Sequence, residues 1–401
     1  MAKPLDFLDH KHSVAAVIGL LILSIALRPP IISIGPILLL IQQHFQLSYT
    51  QAALLTSIPD VCMGVFALVV PSLARRFGIH RSVVVALTLL GGATLLRAVS
   101  PNAVLLLGST FLASIGIAIA GAMTGAWIKT HFPQQPALFM GIYAGGLSIG
   151  ATLAAVFSAP ISELAQSWRV GAGIWSVLCV TAIASWLWMA KRFATPTAAA
   201  ASRGNPVADL PWRNPQAWLV ALNFGAGQFV VYALFAWMAP AAVETTHSPG
   251  LLLGLFTAVF ALASIGAGLI PGKAHDRRIL LAVSAALAIL GVAGMAFAPS
   301  HSPLLYVVLA AIGLGMGFTV AMTLPLDHAS SAEQAGSWTV FMLFIGYLIA
   351  ALGPLAFGAL RELTGHYGSA YQLLFAVLVL MLCITPWLKL AAQKTLRASI
   401  A

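Results

Sequence analysis

Charged residues are scarce in this chain. Asp, Glu, Lys and Arg make up 7% of its 401 residues, whereas they make up about 25% of an ordinary soluble domain. So few charges cannot cover the water-facing surface of a folded domain of this size. The composition therefore excludes a soluble enzyme and a disordered protein. With 60% hydrophobic residues, the sequence instead predicts a polytopic membrane protein.

Cysteine is almost absent. The three cysteines, Cys62, Cys179 and Cys383, lie far apart within apolar runs. An odd number at these spacings excludes a disulfide-stapled secreted module and fits no metal motif. We interpret them as small buried hydrophobic residues. The sequence predicts neither a metal nor a cofactor.

Long apolar runs fill the rest of the chain. Crossing ~30 Å of hydrocarbon takes about 20 residues of helix, and a helix is required because unpaired backbone amides are too costly in lipid. We predict twelve spans at 14–42, 48–74, 80–99, 103–127, 134–160, 169–190, 214–243, 250–272, 278–299, 303–325, 335–360 and 370–390.

Acidic residues are outnumbered, with 10 Asp and Glu against 20 Lys and Arg. Sixteen of the basic residues fall at or near the termini and connections on one side of the predicted spans. Three, Arg97, Arg169 and Arg361, fall on the other side, and Arg28 lies within a span. This asymmetry predicts that both termini are cytoplasmic. It also explains the positive net charge without a nucleic-acid partner.

The chain divides into two halves. The longest connection is rich in Ala, Pro and Ser. It predicts an N-terminal six-helix bundle at 1–192, a cytoplasmic linker at 193–212 and a C-terminal six-helix bundle at 213–401. ASIGIAIAGAMT at 113–124 is similar to AAIGLGMGFTVAMT at 310–323, and an even number of spans per half makes such a repeat parallel.

Basic loops follow the second span of each half. They read PSLARRFGIHR at 71–81 and PGKAHDRR at 271–278. With the six-plus-six layout, they resemble the major facilitator superfamily over the whole chain, although the first loop lacks the leading Gly and the Asp of the family pattern. The resemblance implies a role in gating for the residues that match: Arg76, Gly78, Arg81, Gly272, Asp276 and Arg277.

Shorter stretches resemble the branch of cyanate permeases and 2-nitroimidazole transporters. They read ALRPPIISIGPILLLI (26–41), ALLTSIP (53–59), LLRAVSP (95–101), WIKTHFP (127–133) and LDHASS (326–331). This resemblance implies a small solute. A cyanate-like substrate implies uptake, and a nitroimidazole-like substrate implies efflux.

Arg28 lies at the midpoint of the first predicted span. A cation at that depth costs about 2.5–3.5 kcal/mol even on the lenient insertion scale. Its planar guanidinium suits a carboxylate-like or linear anion, which predicts a substrate clamp. The alternatives are an internal ion pair and a cap on carbonyls freed by Pro29 and Pro30.

Asp60 lies near the midpoint of the second predicted span. It is a candidate proton-coupling group, because an intramembrane acid is a functional candidate by default. A fixed Arg28–Asp60 pair is the alternative. Such a pair would leave a nearly neutral site and would favour an uncharged polar substrate.

Further polar and aromatic residues fall near span midpoints, and the resemblance places their spans around the transport cavity. Each of these aromatic residues could equally serve packing or an interface belt. The substrate-binding candidates beside Arg28 are Tyr143, Ser148, Gln228, Tyr232, Trp237, Phe341 and Tyr347. We expect them to suit a small, flat or linear polar molecule.

Catalysis is not expected. Gly146-Leu147-Ser148-Ile149-Gly150 matches the G-x-S-x-G pattern of hydrolases, but that motif requires a strand-to-helix elbow with His and Asp partners. Here it falls within a predicted span, and no His lies in any span beyond its first residue.

The sequence therefore predicts an all-α major facilitator fold in a bacterial inner membrane. We expect a monomeric secondary active transporter, a proton symporter for a cyanate-like solute. The alternatives are an efflux transporter for nitroimidazole-like molecules and an uncoupled facilitator or channel. The expected partners are a small-molecule substrate, lipid and protons.

Overall fold

Helices form every regular element that the computed structural model describes, at residues 10–132, 135–193, 207, 209–243, 249–269, 277–329 and 332–388. Within these ranges, twelve helical segments are long and apolar enough to cross a membrane. They coincide with the twelve predicted spans, so the all-α prediction is confirmed. The helices that make up these spans are His10–Leu27, Pro29–Ile32, Ile34–Phe45, Tyr49–Phe77, Ile79–Ala98, Ala103–His131, Pro136–Leu164, Trp168–Gly173, Ser176–Arg192, Pro215–Ala242, Pro249–Gly268, Arg277–Phe297, Pro303–His328, Ala332–Thr364 and Gly368–Ile384, with a 3-10 turn at Thr385–Trp387.

Two of the twelve spans, numbered here in chain order, are not continuous helices. Span 1, Val14–Phe45, is broken at Arg28 and Ser33, and span 6, Trp168–Arg192, is broken at residues 174–175. The break in span 1 coincides with Pro29 and Pro30, which have no N–H to donate. The sequence analysis gave the bounds of both spans without a break, although it noted that Pro29 and Pro30 free carbonyls in span 1.

Polar caps and glycine set the limits of some of the other helices. Ser48 begins span 2 with a capping box, in which its hydroxyl accepts from the Gln51 amide and the Gln51 side chain accepts from the Ser48 amide. Gly78, at φ +76°, ends span 2 and leads directly into span 3. The left-handed conformation at this junction favours glycine because it has no Cβ.

The same helix pairs pack together in both halves of the chain. Span 1 packs against span 5, span 2 against span 4, and span 3 against spans 4 and 6. With every number raised by six, the same pairs pack in the second half. This correspondence is what two parallel six-helix repeats require, and it agrees with the predicted repeat. The boundary at 193–212 stays a prediction, because most of that linker lies outside the described residues.

Contacts between the halves follow the same symmetry. Span 2 packs against span 11 and span 5 against span 8, and span 1 also contacts span 7. Glycines allow the closest approaches. A Cβ on Gly64 would lie 3.0 Å from the carbonyl oxygen of Phe344, and a Cβ on Gly35 would clash with the carbonyl oxygen of Phe235. The halves therefore meet backbone to backbone at these two places.

We call the side on which span 1 begins the N-terminal side, and the other the far side. Polar and aromatic contacts join the halves on the far side. The Thr50 amide and hydroxyl both donate to the Glu362 carboxylate, at 3.2 and 2.8 Å, and the Arg361 guanidinium lies 5.1 Å from the Tyr49 ring centroid. Thr50 is in the first turn of span 2, so a carboxylate from the other half occupies the positive end of that helix.

Replacing Glu362 with Gln should weaken this far-side contact, because the amide keeps the shape of the carboxylate but loses its charge. The halves should separate there more often. We expect a cysteine introduced at Met63, deeper than this contact, to react severalfold faster with a membrane-impermeant maleimide. The measurement uses intact cells and a background without the native cysteines, since the charge distribution predicts that the far side faces outward.

The matched control is Glu163→Gln, which removes an exposed acid at the far-side end of span 5. The labelling rate should not change in this variant. Equal rates in Glu362→Gln and in the parent would show that the Thr50–Glu362 contact does not hold the far side closed.

Candidate functional site

The break in span 1 sets the position of Arg28. Pro29 and Pro30 leave the carbonyls of the preceding turn without their helical donors, and the chain restarts as a short turn in which the Arg28 carbonyl accepts from Ile31 and Ile32, both at 3.1 Å. Gly150 of span 5 packs against the helical turn that precedes the break, where a Cβ would clash with the carbonyl oxygen of Ile25. Span 5 can therefore pass close to the break.

Arg97 of span 3 holds the other edge of the break. Its guanidinium donates to the Pro30 carbonyl oxygen at 2.6 Å and to the Thr110 hydroxyl at 3.2 Å. The side chain is 1% exposed, although the sequence analysis counted it with the basic residues on the side opposite the termini. A buried cation that donates to a backbone carbonyl fixes the direction in which span 1 continues after Pro30.

Arg28 itself points between the two halves. One of its terminal nitrogens lies 3.3 Å from the hydroxyl of Tyr232 on span 7, and Tyr143 and Tyr347 are close enough to interact with it electrostatically. Its side chain is half-buried, whereas Leu27 and Pro29 on either side are buried. Since its neighbours come from spans 5, 7 and 11, the accessible part of the guanidinium faces interior space rather than lipid.

Asp60 lies near Arg28 but is not bonded to it. Asp60 is 0% exposed, and among the described residues neither carboxylate oxygen has a hydrogen-bond partner. The two groups are within electrostatic reach of each other, yet they form no salt bridge. The fixed Arg28–Asp60 pair that the sequence left open is therefore not present in this conformation.

Span 2 brings Asp60 to the site through neighbours on the same face. Met63, one turn further on, has its sulfur 3.9 Å from the Tyr232 hydroxyl. A Cβ on Gly64 would lie 3.3 Å from the Cβ of Tyr347. On span 5, the Tyr143 hydroxyl lies beside Gly121. A Cβ at Gly121 would be 3.2 Å from that hydroxyl, so the glycine leaves room for the tyrosine. Three predicted tyrosines thus gather around Arg28 and Asp60.

Other predicted substrate-binding residues lie elsewhere. Trp237 is fully buried, donates to the Pro354 carbonyl oxygen at 2.9 Å and packs against Tyr49 and Phe357 towards the far side. Phe341 is fully buried with its ring centroid 5.1 Å from that of Trp212. Both residues pack between helices, as expected for large apolar side chains.

Ser148 and Gln228 lie on spans 5 and 7, the two helices that also carry Tyr143 and Tyr232. The Ser148 hydroxyl donates to the Ala144 carbonyl oxygen of its own helix at 3.0 Å. It sits in mid-helix, so the elbow that a hydrolase nucleophile requires is absent from this segment. Gln228 is buried one helical turn before Tyr232, on the face of span 7 that also carries Tyr232.

The predicted gating residues are only partly described. Arg76 lies 5.2 Å from the Phe77 ring centroid at the end of span 2, and Arg81 is exposed. Arg277 forms a salt bridge with Asp327 and donates to Thr323, both on span 10. Gly272 and Asp276 lie outside the described residues.

Sequence reasoning missed the phenylalanines that adjoin Tyr232 and Tyr347. Phe224 and Phe235 share the buried span 7 with Tyr232, and their rings contact Tyr347 and Tyr232 at centroid distances of 5.7 and 5.5 Å. The signal was present, because Phe224, Gln228 and Tyr232 follow one another at intervals of four. The sequence analysis did not consider these two phenylalanines.

Within the described part of the chain, no three His, Cys, Asp or Glu side chains are placed to hold a metal ion together. The groups that the site offers are the Arg28 cation, the separate buried carboxyl group of Asp60 and three phenolic hydroxyls. Such a set can bind and orient a polar solute through charge and hydrogen bonds.

Three bacterial transporters are similar to this chain over nearly its whole length. The cyanate transport protein CynX of Escherichia coli K12 is 32% identical over 356 residues, which cover 87% of this chain and 90% of the relative. The 2-nitroimidazole transporter of the same organism is 27% identical over 381 residues, covering 94% and 95%. The uncharacterized transporter YycB of Bacillus subtilis is 26% identical over 369 residues, covering 90% of each chain.

A solved structure shares the fold. It is a bacterial homologue of the human lysosomal transporter Spinster, in an inward-facing and occupied conformation, with a TM-score of 0.71, 16% identity and 99% coverage of both chains. The sequence profile described as the Major Facilitator Superfamily matches residues 15–354. Together with the twelve spans and the repeated packing of the two halves, this match shows that the chain is an integral membrane protein and a transporter of the Major Facilitator Superfamily.

Proposed function

We propose that this transporter moves a small polar or anionic, cyanate-like solute by alternating access, coupled to protons. The proposal rests on the accessibility and the hydrogen bonding of Arg28. Its guanidinium is partly accessible between the halves, and its hydrogen bond among the described residues goes to the neutral hydroxyl of Tyr232. The charge is therefore free to bind an anionic or strongly polar group.

The relatives support this substrate class without fixing the compound. One is named for cyanate and another for 2-nitroimidazole. A nitro group is polar and uncharged overall, so Arg28 and the three tyrosine hydroxyls could orient it by hydrogen bonds. Efflux of nitroimidazole-like molecules is thus the second candidate, favoured by the aromatic side chains around the site.

Proton coupling is assigned to Asp60. Placing a carboxylate in an apolar interior without a partner is costly, and Asp60 has no hydrogen-bond partner among the residues that the structure describes. Rocking of the halves would change its surroundings, because Met63 and Gly64 on the same face contact spans 7 and 11. A carboxyl group whose surroundings change between the two conformations can take up a proton on one side and release it on the other.

Alternating access is supported by the inter-half contacts. Equivalent helix pairs, span 2 with span 11 and span 5 with span 8, join the halves, and the far side is held by the contacts of Glu362 and Arg361. An uncoupled channel requires a path open to both sides at once. The far-side contacts favour a transporter that opens to one side at a time.

We propose a bacterial inner membrane location with both termini in the cytoplasm, on the strength of the basic residues on the N-terminal side. Alkaline phosphatase folds only outside the cytoplasm, so fusions to it report orientation. A fusion after Ala165, between spans 5 and 6, should be active, and a fusion after the C-terminal Ala401 should be inactive. The reverse pattern would invert the proposed topology.

Replacing Arg28 with Ala should abolish high-affinity binding of the solute. A charge-assisted hydrogen bond contributes about 1.5–3 kcal/mol, so the dissociation constant should rise about 10- to 100-fold. Titration of the detergent-purified protein with cyanate and with 2-nitroimidazole, followed by thermal stabilisation, measures this change, because a ligand that binds the native state raises the melting temperature.

The control is Arg169→Ala, which removes a guanidinium that lies 4.5 Å from the Trp168 ring centroid towards the far side. Its ligand affinity should equal that of the parent protein. An Arg28→Ala variant that folds and binds both compounds with unchanged affinity would remove Arg28 from the substrate site.

Replacing Asp60 with Asn should uncouple transport from protons. In proteoliposomes, a pH gradient should no longer drive accumulation, while exchange of labelled for unlabelled solute should continue, because exchange needs no net proton movement. The pH profile of net transport should become flat.

Glu163→Gln is again the matched control, since it removes an acid that lies outside the site. It should retain gradient-driven accumulation. Identical pH profiles for Asp60→Asn and the parent would leave Asp60 with a structural role, and transport that shows no exchange in either protein would favour an uncoupled facilitator.

A further inference from the structure

A cavity of about 570 Å³ lies on the far side, between the two halves. The ends of spans 1, 7 and 11 and the start of span 2 surround it. We call this cavity the far-side vestibule. Gln43 and Gln46 are exposed, so the vestibule is open to solution. Its polar lining consists of Gln42, Gln43, Gln46, Tyr49, Arg361 and Tyr367.

The vestibule is separate from the site around Arg28. On span 7, Tyr232 contacts Arg28, and Pro240 lines the vestibule. The eight residues between these two positions correspond to about 12 Å along a helix. Trp237 lies between them and is fully buried, with its ring packed against that of Tyr49. Buried side chains would therefore separate a small ion in the vestibule from Arg28.

Arg361 gives the vestibule a positive charge. It is the only charged residue among the described residues that line the cavity. Its guanidinium carbon lies 5.1 Å from the Tyr49 ring centroid and 4.6 Å from the Tyr367 ring centroid, so two aromatic rings hold the cation in place. The next residue, Glu362, is not part of the lining, and its carboxylate accepts from Thr50.

Three glutamines of the first half contribute amide groups to the same cavity. Gln46 ends the helix of span 1, and its backbone N–H donates to the Gln42 carbonyl oxygen. Gln43 lies beside Gln42 on the last turn of that helix. Each side-chain amide can supply two N–H donors. A guanidinium combined with neutral N–H donors favours a small anion, because hydrogen bonds that involve an ionised group are the stronger ones.

We propose that the far-side vestibule is a second binding site and that it takes a small anion. Arg361 supplies the charge, and the glutamine amides donate hydrogen bonds from the opposite half. The site collects the solute at the entrance, because a positive cleft raises the local concentration of an anion. This role in entry rests on the proposed transport of an anionic solute, whereas the binding of an anion does not.

Thiol labelling measures the sign of the charge in the vestibule. In purified protein without the native cysteines, we compare a cysteine placed at Gln43 with one placed at Ser302, which is exposed on the far side outside the vestibule. The ratio of labelling rates with an anionic and a cationic methanethiosulfonate should be about fivefold higher at Gln43 in low salt. The difference should diminish at about 1 M salt.

Azide tests whether an anion occupies the vestibule. It is a linear three-atom anion with the shape of cyanate, and it does not modify thiols. We expect azide to slow labelling of the cysteine at Gln43 and to leave labelling at Ser302 unchanged. The protection should persist in Arg28→Ala, because Arg28 is not part of the vestibule.

Variants of the lining locate the anion. Arg361→Gln should weaken azide protection at least about tenfold, because it removes a charge-assisted hydrogen bond. The matched control is Glu362→Gln, which weakens the same far-side contact but keeps the cation, so it should retain full protection. Gln42→Leu should weaken protection about threefold, and it leaves Arg361 in place.

Transport of cyanate into proteoliposomes tests the role in entry. Gln42→Leu should raise the KM for cyanate severalfold and leave the maximal rate unchanged, because the central site is intact. Azide protection in the vestibule combined with an unaltered KM would overturn the role in entry.

The remaining outcomes separate the second site from the transport proposal. Equal labelling ratios at the two cysteines, or absence of azide protection at Gln43 in a protein with intact Arg28, overturns the anion site and leaves the transport proposal standing. Protection that disappears in Arg28→Ala would place the ion at the central site and contradict a second one. Intact protection in a protein that does not transport cyanate would support the anion site and count against the transport proposal.

Discussion

The site depends on how span 1 satisfies its backbone within the membrane. Pro29 and Pro30 remove two donors from a helix that has no water to replace them. The Arg97 guanidinium supplies a donor to the Pro30 carbonyl from span 3, and Gly150 lets span 5 pack against the turn that precedes the break. The break therefore leaves Arg28 at the end of one helical segment, while Arg97, a second cation that is wholly buried, holds the segment that follows.

The two repeats have the same helix packing but different chemistry. The first contributes the charged groups, Arg28 and Asp60, together with the phenol of Tyr143, and the second contributes Tyr232, Tyr347 and the surrounding rings. Such a division suits a carrier, because a solute that touches both halves is held only while the halves are together. Binding and conformation are then linked through the same contacts.

Much of the architecture could be predicted from the sequence. Twelve apolar runs and the resemblance to a known superfamily were enough for the fold, and depth within a span identified Arg28, Asp60 and three of the tyrosines. Other features could not be predicted from the sequence, because they depend on which faces of distant helices meet. Trp237 and Phe341 look like cavity residues by position, yet they pack between helices, and Arg97 looks like a loop residue. Whether Arg28 pairs with Asp60 likewise depends on the distance between their side chains on spans 1 and 2, which the sequence does not give.

The glycine contacts between the halves bear on how a carrier of this kind can move. At Gly64 and Gly35 the helices of the two halves meet at bare backbone. Small shifts at these two points require no side chain of either glycine position to change its rotamer. Resistance to movement between the halves therefore falls on the side-chain contacts elsewhere in the interface, such as Arg28 with Tyr232 in the site and Thr50 with Glu362 on the far side.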